Sequence, residues 1–284
     1  MERMQPKSLI ALISDFGQED PYVGIMKGVI SNLSPQSRLV DITHDIPPGD
    51  IQKAGISLWM AKPYFPAGTI FLCVVDPGVG TDRKAIILTD KQHVYIGPDN
   101  GVFTFGLDSD LEIHELSNPG LQLPPSSSTF HGRDIFAPAA AHAANGVALD
   151  QFGDQISGCI QWPKPEMRIE STRIFGEIIY EDRFGNQITS LGKFTRSGKN
   201  RYQLDPWLTG SSTTGEVLDL SIERATLLLP SGRFLSWVDT YAEIEEGECG
   251  ILVGSAGLLE IAAYRKSAQE FTQLSLGDRI TLLF

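Results

Sequence analysis

Several residues able to do acid–base chemistry fall where the chain must turn. Asp15 follows the apolar run Ser8 to Ser14, Asp76 follows IFLCVV, and Asp99 follows His93 to Ile96 and Gly97-Pro98. Arg83 comes shortly after Asp76, past the glycines of Asp76-Pro77-Gly78-Val79-Gly80. His131 stands in Phe130-His131-Gly132-Arg133-Asp134, just before an alanine-rich stretch. In open α/β sheets, ligands bind in the crevice beyond the strand ends, where these carboxylates would sit. A histidine in a glycine-containing loop at a helix start, in a chain with acids at strand ends, is a candidate for proton chemistry. Each residue also has a plain local reading. Asp-Pro-Gly is an ordinary turn sequence, and Asp99-Asn100-Gly101 reads more strongly as a tight turn than as a site. A lone histidine is more often structural than catalytic.

The elements that must position these residues alternate. Ile70 onward is an apolar, β-branched run suited to a buried parallel strand. Pro77 cannot join a sheet ladder, so the run stops there. Ser8 to Ser14 reads as a first strand. Asp20-Pro21 reads as an N-cap with proline at the first helical position, opening a helix over Tyr22 to Leu33 with Val23, Met26, Lys27 and Ile30 at helical spacing. Arg38 to Ile42 is a second strand. Asp50 is a plausible N-cap for a helix from Ile51 to Lys62, stopped by Pro63. Ala85 to Thr89, His93 to Ile96 and Leu111 to Leu116 are strand-like. Pro124 to Ser128 is a loop, followed by a helix from about Ile135 to Ala144 that tolerates Pro138 in its first turn. Strands alternating with helices predict a doubly wound, mostly parallel sheet.

Beyond Gln161-Trp162-Pro163-Lys164-Pro165 the pattern changes to short strands: Thr172 to Tyr180, Asn186 to Ser190, Val217 to Leu220, Ala225 to Leu229, Gly250 to Val253, Leu258 to Ala262 and Ile280 to Phe284. Their spacing predicts an all-β, barrel-like domain. The expected division is an α/β catalytic domain over 1–160, a linker over 161–170 and a β domain over 171–284.

Composition narrows the function classes. The 284 residues exceed the common single-domain size. The net charge of −12 makes nucleic acid a poor partner and suits a small cationic ligand better. Three scattered cysteines without CxxC spacing argue against a zinc site or disulfide framework and fit a reducing cytoplasm. MERMQPKSLIALIS shows no signal peptide, and no apolar run reaches membrane-spanning length.

Six pieces of the chain, in order, carry a family resemblance: ISDFG at Ile13 to Gly17, VDPGVGTDR at Val75 to Arg83, IGPDNG at Ile96 to Gly101, FHGRDIFAP at Phe130 to Pro138, DRFGN at Asp182 to Asn186, and GSAGLLEIA at Gly254 to Ala262. The chain resembles the S-adenosyl-L-methionine (SAM) hydroxide adenosyltransferases, relatives of the fluorinating and chlorinating enzymes that use the same substrate. The resemblance implies an α/β domain followed by a β-barrel, and a homotrimer with active sites between neighbouring subunits. It implies hydrolysis of SAM to adenosine and L-methionine, with SAM as substrate and no cofactor or metal. Asp76, Arg83 and His131 match the hydrolases' catalytic set; the halogenating relatives carry a tyrosine and a serine in place of Asp76 and His131. The resemblance also implies that Asp15 binds the ribose diol. Asp182, Phe184 and Asn186 would hold the methionine part or the adenine, with Ser255, Glu260 and Ala263 near the methionine and adenine ends. Without it, Asp182 to Asn186 reads as a hairpin turn. Activity that changes between about pH 6 and 8 is expected if His131 titrates in the working range.

Three other readings compete. One is halogenase-type substitution on SAM. Another is a metal-dependent phosphohydrolase using Asp15, Asp20, Asp45 and Asp99 as oxygen ligands, which leaves Arg83 and His131 without a role. The third is a SAM- or adenosine-binding sensor without turnover.

Overall fold

The computed structural model describes residues 8–107, 110–124, 127–206 and 218–284. The N-terminal stretch ahead of Ser8, Pro125 and Ser126 of the expected loop, and Val217 of an expected strand lie outside the described residues. Contacts divide the chain into a unit ending at Trp162 and one beginning at Pro163.

The first unit contains β1 (Leu9–Ser14), α1 (Tyr22–Leu33), β2 (Arg38–Thr43), α2 (Ile51–Ala61), β3 (Ile70–Val74), β4 (Ala85–Thr89), β5 (Val94–Pro98), β6 (Glu112–Glu115) and α3 (Ala137–Ala144). Its sheet runs β2-β1-β3-β5-β4-β6. The pairs β1–β2, β1–β3 and β3–β5 are parallel, but β4 is antiparallel to both β5 and β6. The sheet is therefore mixed. The reason is local: only a short turn separates β4 from β5, and a parallel crossover needs a dozen residues or more.

All five residues of β3 are buried. Ile70, Leu72 and Val74 pack in a core with Ile10, Leu12, Met26, Ile30 and the alanines of α3. Phe71 and Cys73 pack in a second core with Ala11, Ile13, Ala54 and Leu58. This two-sided burial is why β3 reads as a continuous apolar run rather than an alternating one.

The helix starts differ from one another. Asp50 caps α2 as expected, accepting a 2.9 Å bond from the Lys53 N–H. The chain then tightens into a 3₁₀ turn over Lys62–Tyr64 that holds Pro63. At α1 the capping residue is Pro21, and no side chain caps the helix; the Asp20 cap is not formed. Ahead of α3, residues Gly132–Phe136 form a π-helical turn instead of the expected start near Ile135.

The second unit contains β7 (Met167–Glu170), β8 (Arg173–Glu181), β9 (Gln187–Gly198), β10 (Arg201–Asp205), β11 (Leu218–Ser221), β12 (Thr226–Leu228), β13 (Phe234–Ser236), β14 (Cys249–Val253), β15 (Leu258–Ala263), α4 (Ala268–Thr272) and β16 (Arg279–Leu283). One path runs β11-β10-β9-β8-β16-β12-β13, with β15 joining β9 to β14 and β7 joining β8. The ladders are antiparallel. Among the described residues they do not close into a barrel: β13 is three residues long, and beyond it a single parallel bridge, Trp237 to Ile251, reaches β14. Strand β9 runs well past the expected Ser190. Phe194 stays buried while Lys193 and Thr195 face out, so the alternation continues beyond the apolar run. No helix among the described residues is long and apolar enough to cross a membrane.

Gly97 of β5 tests the close fit of the strand that carries Asp76. A Cβ there would lie 2.3 Å from the Cys73 carbonyl oxygen of β3, which is backbone and cannot swing away. Gly97→Ala should cost about 1–3 kcal/mol by overpacking. A melting temperature lowered by several degrees in a circular-dichroism scan is the expected outcome; a parental melt would contradict the close approach.

Candidate active site

Past Val74 the chain leaves the sheet and turns. The Val79 N–H donates to the Asp76 carbonyl, and both the N–H and the hydroxyl of Thr81 donate to the Gly78 carbonyl. Gly80 makes this turn possible. Its φ is +78°, and a Cβ there would lie 3.0 Å from the Ser128 carbonyl oxygen. The turn brings Arg83 back onto Asp76. Arg83 Nε donates to Asp76 Oδ1 at 2.9 Å, and Nη2 donates to Oδ2. The same Nη2 lies 2.7 Å from His131 Nδ1. The Asp76 and Arg83 side chains are 7% and 10% exposed. The guanidinium also lies over the Phe136 ring, 5.2 Å from its centroid.

This geometry decides the histidine tautomer. A guanidinium has only donors, so His131 Nδ1 must accept. The ring is then neutral and its one proton is on Nε2. Burial, and next the Arg83 charge, push His131 below its ordinary value, while Asp76 and Asp134 pull the other way. The titration expected between about pH 6 and 8 therefore moves to the acid side of that range. The π-helical turn sets the ring in place. The Ala137 N–H reaches back to the Gly132 carbonyl, and both Arg133 and Asp134 N–H groups donate to the Phe130 carbonyl. Such turns are frequent at functional sites.

Asp15 lies just beyond β1, and Asp76 beyond β3. Ser14 and Val74 are register partners in the parallel pair, so the two carboxylates leave the sheet side by side. Both line a cavity of about 390 Å³, with Phe16, Gly49, Phe130 and His131 among the other walls. Arg83 holds Asp76 and His131 without lining the cavity itself. Asp15 Oδ2 accepts from the Gly49 N–H at 2.8 Å. Burial raises its pKa most; the Gly49 N–H offsets part of this, and Asp76 adds to it. Phe16, Tyr22 and Phe130 meet edge to face or tilted, 5.3–5.8 Å between centroids.

The second unit holds a cavity of about 710 Å³. All six site residues expected there line it: Asp182, Phe184, Asn186, Ser255, Glu260 and Ala263. Asp182 is also a turn residue. Its Oδ1 accepts from the N–H groups of Phe184 and Asn186 at 2.8 and 2.9 Å, and its Oδ2 from Asn186 Nδ2 at 2.9 Å. Those bonds leave Phe184 80% exposed. Glu260 is buried and accepts from Tyr241 Oη at 2.9 Å. Burial raises the Glu260 pKa, with Tyr241 opposing and Asp182 adding to the rise. The Tyr241 hydroxyl is pushed up by burial and by Glu260. The cavity thus offers an aromatic face, an amide, carboxyl groups, and the cations Arg265 and Lys266.

Asp99 and Asn100 are not part of the catalytic grouping. Asp99 Oδ1 accepts from the Ile160 N–H. Among the described residues no three His, Cys, Asp or Glu side chains gather as metal ligands, so Asp15, Asp20, Asp45 and Asp99 make no such cluster. Sequence reasoning missed Tyr241, which no motif marks. It also gave no role to Phe16 and Phe130, which lie inside quoted motifs, or to Arg265 and Lys266, which follow the last motif by three and four residues.

Residues 10–153 match the SAM hydroxide adenosyltransferase N-terminal domain, and residues 176–281 match the C-terminal domain. The chain is 36% identical to a Thermus thermophilus protein named (R)-S-adenosyl-L-methionine hydrolase, over 96% of this chain and 99% of that one. A hydrolase of the same name from Salinispora arenicola is 37% identical, over 95% and 96%. A fluorinase from an Actinoplanes species is more distant, at 26% over 64% of this chain and 71% of that one. The crystal structure of a conserved Thermotoga maritima protein superposes with a TM-score of 0.79 at 32% identity, covering 97% of this chain and all of that one. The hydrogen-bonded Asp76, Arg83 and His131, and the two full-domain matches, converge on one assignment: this chain belongs to the SAM hydroxide adenosyltransferase family.

Proposed function

We propose that this protein hydrolyses SAM to adenosine and L-methionine by attack of water on the 5′ carbon. The observation that carries the reading is that Arg83 hydrogen-bonds Asp76 and His131, which line one cavity together with Asp15. The leaving group is a sulfonium that departs as a neutral thioether, so no general acid is needed. What the protein must supply is a held, desolvated nucleophile. His131 Nε2–H donates to the water oxygen and aims it. Asp76 accepts the water's proton as the oxygen attacks, through lone pairs that Arg83 does not occupy. Arg83 keeps both partners fixed and offsets the negative charge that develops on the attacking oxygen. The proton then passes to solvent, so the charge lost from the sulfonium leaves as H⁺.

Asp15 takes the ribose diol in this reading, as a carboxylate that accepts from the hydroxyls. In the second unit, Phe184 offers a ring face for adenine. Asp182, Asn186, Ser255, Glu260 and Ala263 take the methionine and adenine ends. A homotrimer with active sites between neighbouring subunits is proposed on the family resemblance alone. A cytoplasmic location is supported by three free cysteines.

The halogenase reading is disfavoured by Asp76, because a carboxylate at the nucleophile's position repels halide and stripping fluoride of water costs still more. Turnover in ¹⁸O-labelled water should place one labelled oxygen on the 5′ carbon of adenosine. Added chloride or fluoride should give no 5′-halogenated nucleoside above trace. No adenosine at all would leave the sensor reading, and unlabelled adenosine would overturn the chemistry.

Asp76→Asn keeps an acceptor for Arg83 while removing the base. It should lower kcat roughly 10²–10⁴-fold, and it should also lower the melting temperature, because the buried Arg83 charge loses its counter-charge. Turnover close to parental would remove Asp76 from the proton step.

The pH dependence follows from the neutral His131. A lowered pKa means the ring stays neutral below its ordinary 6.5. The rate should hold through the neutral range and fall as acid protonates the ring and breaks the Arg83 bond. A rate that rises steadily on going from pH 8 to pH 6 would contradict this tautomer.

A further inference from the structure

Asn100 belongs to the IGPDNG stretch that reads most simply as a turn, and the proposed chemistry gives it no role. Its four polar groups are all used, the backbone N–H donating to the Pro98 carbonyl at 3.0 Å. Nδ2 donates to the Val75 carbonyl at 2.9 Å, Oδ1 accepts from the Val102 N–H at 3.2 Å, and the backbone carbonyl accepts from Trp162 Nε1 at 2.7 Å. Val75 is fully buried and lies past the last residue of the β3 ladder. Its carbonyl shares one rigid peptide plane with the Asp76 N–H. A bond to that carbonyl therefore limits rotation of the plane from which the Asp76 side chain projects. The sheet no longer holds the chain at this point.

Trp162 locks the residue doing the holding. Its N–H donates to Thr104 Oγ1 at 3.0 Å, and Thr104 Oγ1 donates to the Gly101 carbonyl at 2.6 Å. Gly101, at φ +91°, lies against the indole, where a Cβ would come within 1.9 Å of Trp162 Cδ1. The glycine of Asp-Asn-Gly is needed for this close approach as well as for the turn.

We propose that Asn100, braced by Trp162, is a positioning residue that sets the orientation of Asp76 for attack on the substrate. The inference rests on the reading of Asp76 as the proton acceptor. It predicts a split in which kcat falls while substrate binding is kept, because Asn100 holds the peptide behind the base and not the ligand. Misplacement by about 1 Å can cost on the order of 10²-fold in rate.

The test is Asn100→Leu, which is neutral and similar in size, so it adds no charge. Steady-state kinetics on SAM should show kcat lowered roughly 10- to 100-fold. KM should stay within about threefold of the parent, the pattern of an interaction felt in the transition state. A second readout needs no catalysis. The Asp76 charge raises the His131 titration midpoint, so a displaced Asp76 should let that midpoint fall in an NMR titration of the imidazole. Parental kcat with a parental midpoint would overturn the inference, as would a changed KM at constant kcat. If Asn100→Leu does not fold, Trp162→Phe removes the Nε1 donor, together with the five-membered ring that carries it, and keeps an aromatic side chain. There, a threefold or larger loss of kcat at constant KM supports the inference, and parental kinetics overturn it. Asp76→Asn run in parallel separates the two failures. Turnover retained in that variant would overturn the catalytic reading of Asp76, and the His131 midpoint in Asn100→Leu would then decide the positioning role alone.

Discussion

One guanidinium organises the first unit. Arg83 is almost wholly buried, and a buried charge is tolerated only when paired and hydrogen-bonded. Asp76 supplies the opposite charge and two acceptor oxygens, and His131 supplies a neutral acceptor nitrogen. Because arginine has no acceptor, this one contact dictates the histidine's protonation state. Arg83 thus does two things at once: it pairs with the Asp76 carboxylate through two hydrogen bonds and presents an imidazole with its N–H free for a ligand. A lysine, as a point charge without the planar fork, would not offer the same bidentate grip on Asp76 together with a bond to His131.

The fold supplies that contact from three separate places. The register of β1 against β3 sets Asp15 and Asp76 beyond adjacent strand ends. The glycine turn at Gly80 folds Arg83 back onto the strand it has just left. The π-helical turn at Gly132–Phe136 brings His131 to the same point and slides Phe136 under the guanidinium. Gly132 matters here too, since a Cβ would press on the Phe130 ring and Met26 at 3.0 and 3.1 Å. Each device gives up regular structure locally, and the two apolar cores on the faces of β3 hold the irregular segments in place.

The second unit shows how a turn and a binding surface can be one object. Asp182 accepts from the backbone of Phe184 and Asn186, which is an ordinary way to close a hairpin. Those same bonds leave Phe184 standing out of the surface at the wall of the cavity. The buried Glu260, with Tyr241 as its partner, completes a cavity with both apolar and polar walls. Choosing between turn and site at Asp182 is therefore unnecessary, because the turn builds the site.

What the sequence determined by itself was whatever depends on neighbours along the chain. The buried run of β3, the helix over Tyr22–Leu33, the Asp50 cap and the two-part division of strand patterns are all set by short-range periodicity and backbone restriction. The six motifs identified the family and named Asp76, Arg83 and His131. Tertiary structure decided what depends on distant partners. The antiparallel place of β4 follows from a short connection and from pairing with β6. Among the described residues the strand path of the second unit ends at β13, with one bridge from Trp237 to Ile251 beyond it. Tyr241 enters its cavity from a connection with no local signal. Above all, the neutral, Nε2-protonated His131 exists only because Arg83 arrives from another loop with nothing but donors to offer, and no residue beside His131 in the chain carries that information.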